Sequence, residues 1–330
     1  MRLRFLTLIF VLGLLGAVAT LAWTILRSGR ALPPKGVTVV VREGAGVAEI
    51  AQRLEAAGVV QSALVFRLWA RLAGRDRSIQ PGTYHFENAT DMSGVLTRLA
   101  AGVEPLEVTI PEGLTVREIA DLLATRGLGS AESFRCLASD PAFLLAAGVP
   151  GPQLEGFLFP DTYRFLPPEE PSEVLGTMVR RFHDRFDAEH HRRAHERHLT
   201  VNEVLTLASI IEKETGKASE RPLIAAVFAN RLRIGMPLQS DPTVIYSLPA
   251  FDGNLTRADL ANPSPYNTYV ARGLPPGPIA NPGLAAIDAA LAPADSPALY
   301  FVSRNDGSHE FSTTLAEHNR AVTRFQRSGR

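Results

Sequence analysis

The stretch Leu205-Thr-Leu-Ala-Ser-Ile-Ile-Glu212-Lys-Glu214-Thr-Gly216 is an apolar run that ends in carboxylates. Val204, Leu207, Ala208 and Ile211 recur at the i, i+3, i+4, i+7 spacing of a buried helix face. Leu205 and Ile210 widen that face on both sides, which predicts a central helix rather than a surface one. Thr200 and Glu203 form a capping box at its start, and Gly216 is placed to end it. At about 100° per residue, Glu212 lies on the flank beside Leu205 and Ala208, and Glu214 falls roughly 200° away. The two glutamates therefore do not pair on one face. A carboxyl group against apolar walls stays protonated to higher pH, as a general acid requires. On spacing alone, an end-of-helix charge that reaches water or an arginine is the competing reading.

With 330 residues and 45% hydrophobic content, the chain can hold two or three modules with real cores. The formal net charge is zero, so nothing suggests a polyanion partner such as nucleic acid. Cys136 is the only cysteine, which excludes an internal disulfide and a cysteine-based zinc site. From Phe5 to Leu26 there are 22 residues without a charge, long enough to span a bilayer. Arg2 and Arg4 precede the run and Trp23 sits near its far end, where interfacial aromatics are favoured. Ala17-Val18-Ala19 offers the rival reading of a cleaved signal peptide. The apolar run continues to Leu26, however, beyond a signal core, and favours an uncleaved anchor with the bulk of the chain outside the cytoplasm.

After the linker Ala31-Leu-Pro-Pro-Lys-Gly36 comes an internal repeat. Val41-Arg-Glu43-Gly44, Val47, Glu49, Ile50, Ala51, Leu54 and Gly58 recur as Ile110-Pro-Glu112-Gly113, Val116, Glu118, Ile119, Ala120, Leu123 and Gly127. Each copy reads as a strand, a Glu-Gly turn and an amphipathic helix closed by glycine. Between them, Pro81 to Phe86 reads as a turn into a strand, with a helix from about Met92 to Ala101. The pattern resembles LysM-like modules, which bind the N-acetylated glycan of bacterial cell walls; any small βα unit would share the spacing.

Pro167 to Thr200 reads as helical and highly charged. His191, His195 and His198 are spaced i, i+4, i+7, which aligns them on one helix face and could in principle hold a metal. Arg192, Arg193 and Arg197 crowd the same stretch and would repel a cation, so a solvated helix is the better account.

Beyond the central helix, Ser219 is the expected N-cap and Pro222 the first-turn proline of a helix that runs to Gly235. The segments Gln239-Ser-Asp241-Pro, Ser264-Pro-Tyr266-Asn267-Thr-Tyr269, Gly273-Leu-Pro-Pro-Gly277 and Asn281-Pro-Gly283 then read as the loops of a cleft. Planar rings and amide donors of this kind suit carbohydrate. Near the end, Leu299 to Val302 and His309 to Phe311 flank an Asn305-Asp-Gly307 turn, as in a hairpin.

Several long motifs closely resemble the YceG-like family: Leu154-Glu-Gly-Phe-Leu-Phe-Pro160-Asp161-Thr162-Tyr163, Ala208 to Glu214, Ala218-Ser-Glu220-Arg, Asn230-Arg-Leu-Arg-Ile-Gly235-Met, Gln239 to Tyr246, Tyr266 to Tyr269 and Gly273 to Gly277. The resemblance covers nearly the whole chain. It implies an α+β protein with an N-terminal transmembrane helix, LysM-like βα modules and a mixed α/β YceG-like catalytic domain. The corresponding segments are 1–30 for the anchor, 37–105 and 106–150 for the repeat copies, and 151–330 for the catalytic part.

The resemblance also implies a single-pass inner-membrane protein with the bulk of its chain periplasmic. Its implied activity is endolytic lytic transglycosylation. The β-1,4 bond between N-acetylmuramic acid and N-acetylglucosamine in nascent peptidoglycan is cut, leaving a 1,6-anhydro end and limiting strand elongation. The family's catalytic glutamate falls on Glu212, with no cofactor and no metal. A lytic enzyme needs one carboxylate where a hydrolase needs two, because the sugar's C6 hydroxyl is the nucleophile. Glu220, Gln239, Asp241, Tyr266, Asn267 and Tyr269 are the candidates for holding glycan, although Glu220 could merely cap its helix. Expected partners are glycan strands, the membrane and peptidoglycan synthases (penicillin-binding proteins). A non-catalytic wall-binding scaffold and a histidine-based metallohydrolase are the competing functions.

Overall fold

Strand β1 (Val37–Val41) alternates as a half-buried strand must, with Val39 and Val41 inward and Thr38 and Val40 outward. In this computed structural model, which describes residues 33, 36–87, 91–103, 105–166 and 170–327, β1 pairs antiparallel with β2 (Gly82–Phe86). Val39 lies opposite Tyr84, so the buried faces of the two strands coincide. Helices α1 (Val47–Ala56) and α2 (Ala63–Leu72) connect the strands, and α3 (Met92–Ala101) follows. Ile50, Leu54, Phe66, Tyr84, Phe86, Val95 and Leu99 make one continuous core. Together with 164–166, this is the first of two compact units.

The apolar run Phe5 to Leu26 lies outside the described residues. Among the described residues no helix is long and apolar enough to cross a membrane.

The second unit begins with the second repeat copy. Strand β3 (Leu106–Thr109) leads through the Glu112-Gly113 turn into α4 (Val116–Thr125), which starts with a capping box between Thr115 and Glu118. Gly44 and Gly113 occupy the same positive-φ position, at 76° and 80°, as the duplication requires. Helices α5 (Ala131–Leu137) and α6 (Pro141–Ala146) precede β4 (Thr162–Phe165), the partner of β3. Ile110 N donates to Asp161 O at 2.9 Å along that pair.

The charged segment after β4 is two helices, α7 (Pro171–Arg185) and α8 (Ala188–Glu196). Asp187 breaks them by capping the amides of Glu189 and His190. Val174, Leu175, Met178, Val179 and Phe182 bury one face of α7, so this segment is core on one side as well as charged. Because α8 ends at Glu196 and His198 has φ 56°, His191, His195 and His198 do not line one helix face. Among the described residues no group of three or more His, Cys, Asp or Glu side chains could hold a metal ion.

Helix α9 (Val201–Glu214) is central, as its apolar pattern predicts: every residue from Val204 to Ile211 is buried. The capping box of Thr200 and Glu203 is present. The helix ends at Glu214 with an extended Thr215, so Gly216 does not serve as its closing residue. A 3-10 turn (Ala218–Glu220) then occupies the place where Ser219 was expected to cap, and α10 (Arg221–Arg233) starts on Glu220 with Pro222 in its first turn. The remaining elements are α11 (Asp241–Ser247), α12 (Arg257–Leu260), α13 (Leu284–Leu291), the antiparallel hairpin β5 (Tyr300–Ser303) and β6 (His309–Ser312), and α14 (Leu315–Val322). Helix α9 packs against α10 and α13, whose Ile224, Val227, Phe228, Ile287 and Ala290 are all buried.

Candidate active site

Three chain segments converge at the C-terminal end of α9. Glu212 stands in its last turn with 6% of its side chain exposed. Its Oε1 accepts from Nη2 of Arg221 at 2.7 Å, and its Oε2 accepts from the backbone N–H of Gly283 at 3.0 Å. The 3-10 turn supplies the arginine by bringing the first residue of α10 back beside the end of α9. Gly283 is the N-cap of α13, where a free amide and the helix dipole both favour an anion.

The third segment is the Glu-Gly turn of the second repeat copy. Glu112 Oε2 reaches the same Arg221 Nη2 at 3.4 Å. Gly113 N donates to Asn281 O at 2.9 Å and Asn281 N to Leu114 O at 2.8 Å, which locks this turn to the strap before α13. Lys213 Nζ donates to Gly113 O at 3.2 Å. A Cβ at Gly283 would stand 1.9 Å from Oε1 of Glu112, so only glycine lets that carboxyl lie across the strap. Burial, and next the charge of Glu212, raise Glu112 above the ordinary carboxyl range, while Arg221 pulls the other way.

Glu212 thus reaches an arginine, as the competing reading of an end-of-helix charge has it, and it has a carboxylate neighbour that its helical phase does not show. The reason is tertiary: Glu112 and Gly283 come from distant parts of the chain. A Cβ added at Gly44 in the matching turn of the first copy would meet nothing within 4 Å, whereas one at Gly113 would stand 3.5 Å from Cγ of Glu212. The duplicated turn thus meets a glutamate in one copy only.

Two other carboxyls are governed by burial. Glu214, on the opposite side of α9 as its helical phase requires, accepts from Ser240 Oγ at 2.5 Å and is pushed up to about 7. Glu155 is likewise pushed up to about 7. It accepts from Val116 N at 3.0 Å, Asn281 Nδ2 at 3.0 Å and Tyr246 OH at 3.3 Å. Glu155 lines a cleft of about 810 Å³ together with Gln153, Lys213, Tyr246, Phe251 and Ile279. That volume lies in the range of ligand pockets, with aromatic and amide groups among its walls.

The sequence candidates are distributed more widely than a single cleft. Glu220 is buried under the β5–β6 hairpin, where its carboxylate accepts from His309 Nδ1 at 2.7 Å and His309 N at 3.2 Å. It makes no side-chain cap to its helix and ties the hairpin instead. Asn267 is fully buried; its amide donates to Leu260 O and Asn262 O, and its oxygen accepts from Tyr269 N. It braces the loop from within, and no part of it is open to a glycan. Gln239 is exposed with φ 52° and its N–H donates to Thr268 O. Asp241 accepts from Tyr269 OH at 2.6 Å, and the Tyr266 ring packs 5.0 Å from that of Tyr246. Glu112, Glu155, Arg221 and Gly283 are not among the sequence candidates, and the fold brings three of them to Glu212 or its arginine and Glu155 to the cleft. Glu112 carried a signal in the repeat and Glu155 in the Leu154-Glu-Gly-Phe motif, but nothing local joins either to Glu212.

The YceG-like family matches over residues 39–324. The chain is 31% identical to an endolytic murein transglycosylase of Bacillus subtilis, over 88% of this chain and 84% of that one. It is 32% identical to one of Streptococcus pneumoniae, over 87% of this chain and 58% of the longer relative. A crystal structure of a yceG-like protein from Listeria monocytogenes is similar in fold, with a TM-score of 0.61 and 32% identity, over 87% of this chain and 99% of that one. On this match of sequence and fold, the chain belongs to the YceG-like family.

Proposed function

We propose that the protein is an endolytic murein transglycosylase, a lyase acting on peptidoglycan, with Glu212 as its acid and base. The observation that carries the residue assignment is the fixed carboxylate of Glu212, held between Arg221 and the Gly283 amide with Glu112 alongside. In the first step Glu212, protonated, gives its proton to the glycosidic oxygen as the bond to C1 of N-acetylmuramic acid breaks. In the second the carboxylate takes the proton of the C6 hydroxyl as that oxygen bonds to C1, closing the 1,6-anhydro ring. The proton passes from O6 to O4 overall and no water is consumed. Arg221 and Gly283 hold the carboxylate in one place through both steps, with the carboxyl of Glu112 on the same arginine. The cleft of Gln153, Glu155, Tyr246 and Phe251 is the proposed seat of the glycan.

The run Phe5 to Leu26 supports a single-pass inner-membrane anchor with the rest of the chain periplasmic. The β1–α1–α2–β2 arrangement of the first unit fits a LysM-like glycan-binding module. Association with peptidoglycan synthases follows from a substrate that is still being polymerised. Muropeptide analysis of glycan treated with wild type and Glu212→Gln tests the central claim. New anhydro ends that vanish in the variant are expected. Equal yields from both proteins would refute the assignment of Glu212, and reducing ends in their place would mark a hydrolase.

A further inference from the structure

Helix α2 is apolar on two sides. Ala63, Phe66 and Ala70 are buried in the first unit's core. Leu64, Leu68 and Leu72 are 62%, 55% and 83% exposed, and at i, i+4, i+8 they share an arc of about 80°. Of the four large hydrophobics strongly exposed among the described residues of this unit, these are three. Clustering on one helix face distinguishes them from scattered surface leucines. Exposed Arg67 and Arg71 border the stripe on the helix itself, and exposed Arg75 and Arg77 follow it. Neither Arg67 nor Arg71 forms an ion pair among the described residues, and Asp76 is the sole acidic residue between Val60 and Gln80. An apolar stripe with a basic margin is the pattern of a helix that lies in a membrane interface.

We infer that the Leu64–Leu68–Leu72 face of α2 docks on the anionic surface of the bilayer to which the chain is tethered. This rests on reading Phe5 to Leu26 as an anchor. Ten residues separate Leu26 from Val37, so the first unit is held within about 40 Å of the bilayer even when the connection is fully extended. That tether keeps the helix returning to the layer within about 10 Å of the surface, where the potential of acidic lipids draws on the arginines while the leucines enter the boundary between headgroups and chains. The docked face fixes the height and tilt of the unit above the membrane.

The full-length protein carrying Cys136→Ser and Leu68→Cys, labelled at the new thiol with an environment-sensitive fluorophore, provides the test. It is reconstituted into phosphatidylethanolamine–phosphatidylglycerol vesicles containing lipids spin-labelled along the acyl chain. Quenching of about two-fold or more is expected. It should weaken when Arg67→Glu and Arg71→Glu are added or when phosphatidylcholine replaces the anionic mixture. A label that stays bright on protein floating with the vesicles overturns the docking and leaves the anchor standing. Protein that does not float overturns both. A label response that follows protein density, with no effect of quencher lipid, overturns docking in favour of self-association.

Discussion

A single nitrogen of Arg221, Nη2, joins Glu212 at 2.7 Å and Glu112 at 3.4 Å, so two carboxylates share one cation at the end of the central helix. The Arg221 and Glu212 side chains are 10% and 6% exposed, against 47% for Glu112. The arrangement is asymmetric: one carboxylate is enclosed with the cation, and the other reaches it from the surface.

Removing the cation should therefore cost stability as well as activity. Arg221→Leu leaves Glu212 buried without its counter-charge, a change worth about 3–5 kcal/mol where such pairs are broken. Adding Glu212→Gln should restore a large part of that loss without restoring activity. Urea denaturation of the two variants and the wild type reads the coupling.

Gly283→Ala keeps the amide that binds Glu212 but places a methyl where Glu112 lies. We expect Glu112 to swing out to solvent, with lytic activity falling about ten-fold or more and thermal stability changing little. A variant as active as wild type would show that the position of Glu112 is immaterial.

Glu155 and Glu214 give a defined pH dependence. Both are raised by burial from 4.5 to about 7, so the folded protein binds more protons than the unfolded chain between those values. Their contribution is therefore fully present below about 4.5 and is lost as pH rises through about 7, on the order of 3 kcal/mol for each group. Relative to wild type, Glu155→Gln and Glu214→Gln should each gain stability between pH 5 and pH 8, as measured by denaturant midpoints at the two pH values. An unchanged difference would place these carboxyls in ionised form throughout.

Asn267 and Tyr246 should separate structure from binding. Asn267→Ala strips partners from two carbonyls and one amide inside the loop, and is expected to cost about 1–3 kcal/mol. Tyr246→Phe removes two long hydrogen bonds at the cleft wall, one donated to Glu155 and one accepted from Gln153, and should weaken glycan binding while leaving the melting temperature nearly intact. Calorimetry and binding of purified glycan strands distinguish them.

What was legible in the sequence was whatever a short window can specify. The 3.6-residue apolar period located α9, Thr200 and Glu203 marked its start, the repeat placed β1, α1, β3 and α4, and the Asn305-Asp-Gly307 turn marked the hairpin. These features depend on neighbours a few residues apart, and periodicity and turn chemistry record them directly. Where local signals were thin the boundaries moved: Gly216 and Ser219 gave way to an extended Thr215 and a 3-10 turn.

The surroundings of Glu212 were decided by tertiary structure. Its phase on α9 indicated which way it points, and the same phase separated it from Glu214. Nothing in that phase could reveal Glu112, 100 residues earlier, or the amide of Gly283, 71 residues later. Nor could it show that Asn267 and Glu220 turn inward to brace the fold. Charge and hydrogen-bond partners that meet only after α9, α10, α13 and the second repeat turn have packed leave no periodic trace in the chain. The sequence by itself determined the helix and the face from which its carboxylate projects; packing alone decided what that carboxylate touches.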